Sequence, residues 1–253
     1  MIELRALLPA AEQGWLLLLE LDTANRDAWV LIGGQMVFVL AIENGTQLPR
    51  ATADMDVVVD VRLFQGGTEW LAYWLVDHGF TQDKPSTDGI SHRFSRQVIP
   101  EAGTVIFDIL APDGLSEATD VTTVPPGRTV QTPGGTQGLN RARRVELAVN
   151  TADGRRVTGN VSVPDLLGAL VLKAAATAEL TVRENPIRDW ADCALLLAML
   201  PDPFATAAAL TRGDRRRIGR LTDLRDRAHP GWDGLSDNDY RAGTTALNIL
   251  LDQ

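Results

Sequence analysis

The chain has 253 residues, 45% of them apolar, enough to bury a sizeable core in one large domain or two small ones. Its formal net charge of −9 argues against a generally basic nucleic-acid-binding protein. There is no apolar run of the roughly 18 residues a membrane span needs, no secretory-leader pattern after Met1, and only one cysteine, Cys193, so a reducing cytoplasm is expected.

Taken in chain order, the first 25 residues, rich in leucine, predict a helix that ends at Asn25-Arg26-Asp27. Residues 28–32 predict a short buried strand, and residues 34–43 a helix stopped by Asn44-Gly45. The β-branched run at 55–60 predicts a buried strand. Residues 68–78 predict a helix closed by Gly79, with Trp70 and Trp74 as core aromatics. Segments 91–99 and 104–110 flank a turn signal and predict a β-hairpin. The Pro-, Gly- and Thr-rich stretch 111–140 predicts a long loop, which in a compact domain is functional or disordered. Residues 145–150 and 156–161 predict an edge hairpin.

Beyond residue 163 the pattern is helical. One helix carries Pro164 in its first turn and buries Leu166, Leu167, Leu170, Val171 and Ala174; the next is capped by Asn185. The class expected is therefore α+β. A mixed-sheet core with flanking helices spans residues 1–162, and a helical part spans 163–253.

Charge is unevenly spread. Residues 1–140 hold 8 Lys/Arg against 18 Asp/Glu, while residues 141–253 hold 16 against 15. Two basic clusters stand out, Arg141-Arg143-Arg144 and Arg215-Arg216-Arg217-Arg220. The second alternates with Asp214, Asp223 and Asp226, so a solvated helix face explains it at least as well as an RNA track.

The chemistry is concentrated in three places. A strand runs into Gly33-Gly34-Gln35, a later strand opens with Asp54-Met55-Asp56, and Asp108 sits inside the apolar run 105–110. Residues two apart on a strand share a face, so Asp54 and Asp56 point together. Adjacent carboxylates repel and would have raised pKa values unless a cation sat between them. Mg²⁺ is the usual cation in phosphate chemistry, and a shared ion would also explain a carboxylate in the strand of Asp108. Gly33 and Gly34 let the main chain approach a triphosphate, the helix starting at Gln35 offers N–H groups to anions, and Thr52 offers a hydroxyl. Singly, Asp-x-Asp arises by chance and Gly-Gly is commonly an ordinary turn; the order and spacing together say more.

That order matches the polymerase-β type of nucleotidyltransferase fold, and the chain resembles the AbiEii-type toxin family over roughly residues 28 to 197. The later part of the resemblance runs through Lys173-Ala174, Arg183 and Arg188-Asp189-Trp190-Ala191-Asp192. Read alone, these residues have plain explanations. Lys173 would be a snorkelling surface lysine, Asp189 and Asp192 would favour a helix N-terminus, Arg188 and Asp192 would make a surface pair, and Cys193 would be a small buried hydrophobe.

The resemblance implies transfer of a nucleoside monophosphate from an NTP to a hydroxyl, with release of pyrophosphate. It implies two Mg²⁺ ions, with Asp54 and Asp56 on the nucleotide-side ion and Asp108 completing the second site beside the acceptor. Lys173 would neutralise phosphate, and Asp189 would orient it or act near the acceptor. The implied acceptor is RNA, at the 3′ end of tRNA, and the implied partner is a neutralising antitoxin. Two other readings remain open: a small-molecule nucleotidyltransferase acting on an aminoglycoside-like polycation, which an acidic surface would attract, and a non-catalytic binding relative, against which the intact aspartates count.

Overall fold

The computed structural model describes residues 1–5, 7–46, 54–99, 103–179 and 187–252. The chain is α+β and divides into two compact units. One comprises Met1–Met36 and Arg50–Pro164; the other comprises Val37–Pro49 and Asp165–Gln253.

The first unit begins with β1 (Ile2–Leu4), α1 (Pro9–Ala24), β2 (Trp29–Ile32) and the first turn of α2 (Gly33–Glu43). It continues through β3 (Asp54–Val59), α3 (Gly67–Asp77), β4 (Thr81–Gln82), β5 (Arg93–Ile99) and β6 (Gly103–Pro112). It ends with β7 (Gln131–Thr132), α4 (Gly135–Asn140), β8 (Ala142–Asn150) and β9 (Arg156–Pro164). Among the described residues the main sheet has the order β2-β3-β6-β5-β4, with β7 added beside β6. At its centre β3 and β6 run parallel, while β2 and β5 pair antiparallel on either side.

The pleat divides the central strands into two faces. Met55, Phe107 and Phe94 form one row across β3, β6 and β5, and all three are fully buried. Each such large apolar side chain contributes about 1.5–3 kcal/mol on burial. One residue further along, the next row turns the opposite way, and it is this row that carries charge.

Several sequence expectations change in this unit. Residues 1–25 are not one helix: Ile2–Leu4 pairs in parallel with β8, and Pro9 opens α1. Strands β8 and β9 are longer than expected and form their own three-stranded sheet with β1. The stretch 111–140 is organised, because β7 and α4 lie within it and Asp113 accepts hydrogen bonds from the backbone N–H groups of Gly134 and Thr136. Trp70 and Trp74 are only half-buried; the fully buried stripe of α3 is Leu71, Ala72 and Leu75.

The second unit is helical: the rest of α2, then α5 (Leu166–Ala176), α6 (Ile187–Ala198), α7 (Pro203–Ala208), α8 (Arg212–Ile218) and α9 (Asp237–Leu251). Helix α6 packs against α5 and α9. Side-chain caps define the starts: Asp165 on α5, Asp202 on α7, a Thr211/Asp214 capping box on α8, and Ser236 on α9. Each such cap contributes about 1 kcal/mol. Pro164 therefore closes β9, and the cap of α5 is Asp165. Asn185 lies outside the described residues. Among the described residues no helix is long and apolar enough to cross a membrane.

Candidate active site

Strand β3 supplies Asp54 and Asp56, two residues apart and both half-buried, so both project from one face. Asp56 is the register partner of Asp108 on β6, and neighbouring strands lie about 4.8 Å apart. On the far side of β6, Asp108 pairs with Arg93 of β5; on the far side of β3, Asp56 pairs with Ile32 of β2. A single row across four strands thus reads Ile32, Asp56, Asp108, Arg93. The structure brings the three acidic residues singled out in the sequence onto one face.

Gly33 follows Ile32 and lies directly against this row. Its φ is +69°, and a β-carbon there would fall 1.8 Å from Asp56 Oδ2 and 2.7 Å from Asp56 Cγ. Only glycine satisfies both the left-handed backbone and the approach of the carboxylate. Gly34 and Gln35 continue into the first turn of α2, and the Gln35 side chain is buried. Thr52 and Arg183 lie outside the described residues.

Arg93 was not anticipated from the sequence. Its Nε donates to Asp108 Oδ1 at 2.9 Å and its Nη2 to Asp108 Oδ2 at 2.7 Å, a two-pronged ion pair. The Asp108 side chain is 6% exposed and that of Arg93 is 44% exposed, so the guanidinium covers the carboxylate from the solvent side. The hydrogen bonds to Asp108 raise the Arg93 pKa, and the charges of Asp108, Asp54 and Asp56 add to this against the opposing effect of burial. Arg93 thus lies in the field of all three carboxylates.

Both Asp108 oxygens accept from this guanidinium, so the carboxylate expected to complete a metal site is held by Arg93 in this structure. Asp54 and Asp56 lie on one face of β3, and carboxylate oxygens are the hard donors that a divalent ion takes together with phosphate oxygens. Among the described residues no group of three or more His, Cys, Asp or Glu is disposed to hold an ion.

The other expected residues belong to the second unit. Lys173 Nζ lies 3.1 Å from Asp189 Oδ1 and 2.7 Å from Asp192 Oδ2, and all three side chains are at most 10% exposed. Burial pushes the ammonium toward its neutral form, but attraction to Asp192 and Asp189 outweighs it and holds the pKa above the ordinary lysine value. Lys173 is therefore not a snorkelling residue. As placed, the lysine expected to face phosphate lies against Asp189 and Asp192 at the α5–α6 contact. Asp192 turns inward to it, and Arg188 is exposed.

Several arginines of the two basic clusters brace the fold. Arg144 pairs with Asp22 at 2.7 Å, Arg215 donates to the Ala207 carbonyl at 3.0 Å, and Arg220 donates to the Ala175 carbonyl at 3.3 Å. Arg216 is exposed.

No protein-family model matches the chain, and the search of curated proteins gives no match. Among solved structures, the chain is similar to an antigenic nucleotidyltransferase-like protein from Paracoccidioides brasiliensis. That likeness covers 96% of this chain and 94% of the other, with a TM-score of 0.54 and 14% sequence identity. The fold is nucleotidyltransferase-like.

Proposed function

We propose that the protein is a nucleotidyltransferase that moves a nucleoside monophosphate from an NTP to an acceptor hydroxyl and releases pyrophosphate. The observation that supports this most is the closure of Gly33 on Asp56, beside the Asp54/Asp56 pair and at the start of α2. A glycine turn, a helix N-terminus and a carboxylate pair meet there, a combination suited to a triphosphate.

Each residue then has a definable task. Asp54 and Asp56 would hold a Mg²⁺ ion, which when bound supplies charge neutralisation at the phosphoryl oxygens. The missing β-carbon of Gly33 lets the turn close on Asp56, and the first turn of α2 through Gly34 and Gln35 would present main-chain N–H groups to the phosphates. Arg93 fixes the orientation of Asp108 and adds positive charge to the edge of the row. Positioning and charge neutralisation are the main demands of phosphoryl transfer, so this inventory suits the reaction.

The finer reading is an AbiEii-like enzyme of the cytoplasm that acts on the 3′ end of tRNA and is held in check by an antitoxin protein. The four-motif resemblance supports it. A second reading, transfer to an aminoglycoside-like polycation, is favoured by the net charge of −9. One experiment separates the two: the protein, Mg²⁺ and each α-labelled NTP are incubated with total tRNA or with an aminoglycoside panel. Label on tRNA that is lost in Asp54→Asn supports the first reading, and label on the antibiotic supports the second. Absence of transfer to either acceptor would count against both.

A further inference from the structure

Helix α3 turns Leu71, Ala72 and Leu75 inward, yet its outer face is not the charged surface that a solvent-facing helix ordinarily presents. Trp70, Tyr73 and Trp74 follow one another there at helical spacing, and Phe64, from the turn before the helix, meets Trp70 edge-on at a ring-centroid distance of 5.8 Å. With Glu69 and Asp77 these rings line a groove of about 550 Å³. Tyr73 is 46% exposed. Tryptophan and tyrosine left in water in this way are enriched where proteins meet partners.

Charge and spacing narrow the occupant. Among the described residues that line the groove, Glu69 and Asp77 are the charged ones, and both are acidic. The face of an aromatic ring attracts a cation as a carboxylate does, so rings and carboxylates favour the same sign. Glu69 and Asp77 are eight residues apart on one helix, which separates them by about 12 Å along its axis. A compact single cation meets only one of them. In an extended chain, residues four apart lie on the same side and are separated by about 13 Å, with the residue midway between them on that side too.

We propose that this groove binds an extended segment of a partner protein that carries arginine or lysine at its first and fifth positions and an apolar side chain at the third. The two cations lie against Glu69 and Asp77, and their stems and the central side chain cover Tyr73 and the two tryptophans. No residue of the row Asp54, Asp56, Asp108 and Arg93 lines the groove, so the proposal stands apart from the nucleotidyl-transfer reading.

The probe is a synthetic fluorescein-labelled peptide, Gly-Arg-Ser-Leu-Ser-Arg-Gly, titrated into the full chain at physiological ionic strength and read by fluorescence anisotropy. It should bind saturably, and Glu69→Lys combined with Asp77→Lys should weaken it roughly tenfold or more. Asp223→Lys combined with Asp233→Lys makes the same change of charge at exposed positions of the second unit and should leave binding unchanged. Tyr73→Ala, at an exposed position, should weaken binding severalfold and serves as the second variant should the lysine pair disturb the fold, which circular dichroism checks. A peptide of the same composition with its arginines adjacent should bind more weakly than the probe. Absence of saturable binding, an unchanged affinity in the folded groove variants, an equal loss in the second-unit control or equal binding of the rearranged peptide would overturn the proposal. Spermidine bound more tightly than the probe would overturn it in favour of a small polycation.

Discussion

Gly33 and Asp56 touch so closely that the glycine hydrogen occupies space no other residue could use: a β-carbon there would lie 1.8 Å from Asp56 Oδ2. The contact packs the turn at the end of β2 against the acidic strand β3. Gly33→Ala would meet both a steric overlap and a φ of +69°. The left-handed backbone alone costs about 1–2 kcal/mol for an alanine. Urea unfolding should show at least that loss, and titration with Mg²⁺-NTP should show weakened binding as Asp56 is displaced. An alanine variant with unchanged stability and binding would refute the contact.

Lys173 holds two aspartates inside the second unit, and removing it should be felt there first. Lys173→Met removes the ammonium that lies against Asp189 and Asp192, each at most 7% exposed by side chain. Breaking one side of a buried pair costs about 3–5 kcal/mol. The urea midpoint should fall accordingly. A variant that stays stable while losing nucleotidyl transfer would instead support a phosphate-facing role for Lys173.

His78 links α1 to the C-terminal end of α3. Its Nδ1 lies 2.6 Å from the Trp74 carbonyl and its Nε2 lies 3.0 Å from Glu20 Oε1. Partial burial pushes its pKa down, but the Trp74 and Glu20 bonds outweigh this and raise it above the ordinary 6.5. Because the folded value is the higher one, the stability it brings is full below pH 6.5 and is lost as pH rises through the raised value. His78→Gln should therefore cost more at about pH 6 than at about pH 9, by under about 1 kcal/mol since Glu20 is exposed. Equal costs at the two pH values would contradict the assignment.

Cys193 is fully buried in α6, and burial pushes its thiol well above its ordinary range. A thiol that is neither exposed nor ionised reacts slowly. A thiol-specific disulfide reagent should leave the folded protein unmodified for as long as it stays folded and modify it fully in denaturant. Rapid modification of the native protein would show that this part of α6 opens readily.

What the sequence revealed followed local pattern. The Gly-Gly turn, the period-2 run of β3 and the hairpin of β5 and β6 were legible because each is set by residues close together in the chain. β1 was not, since its three residues become a strand only by pairing with β8, with Ile2 opposite Leu147. Arg93 was hidden for a more specific reason. Counting back from the turn, where Ile99 faces Gly103, would place Phe94 opposite Asp108; an irregularity between Gln97 and Ile99 shifts the pairing by one residue and brings Arg93 there instead. A one-residue shift exchanges the two faces of a strand, so the partner of Asp108 changes from an aromatic to a guanidinium. The pairing of Lys173 with Asp189 and Asp192 depends on how α5 and α6 pack, which helical spacing within either segment does not specify.

The account stands on β3 and the Gly33 turn forming a nucleotide site, and calorimetric titration of Mg²⁺-NTP into the wild type and into Asp56→Asn tests that most directly. The wild type should bind, and Asp56→Asn should bind roughly tenfold more weakly or worse, a loss of about 1.4 kcal/mol or more. A wild type that takes up none of the four nucleotides, or an Asp56→Asn variant that binds as tightly as the wild type, would contradict it.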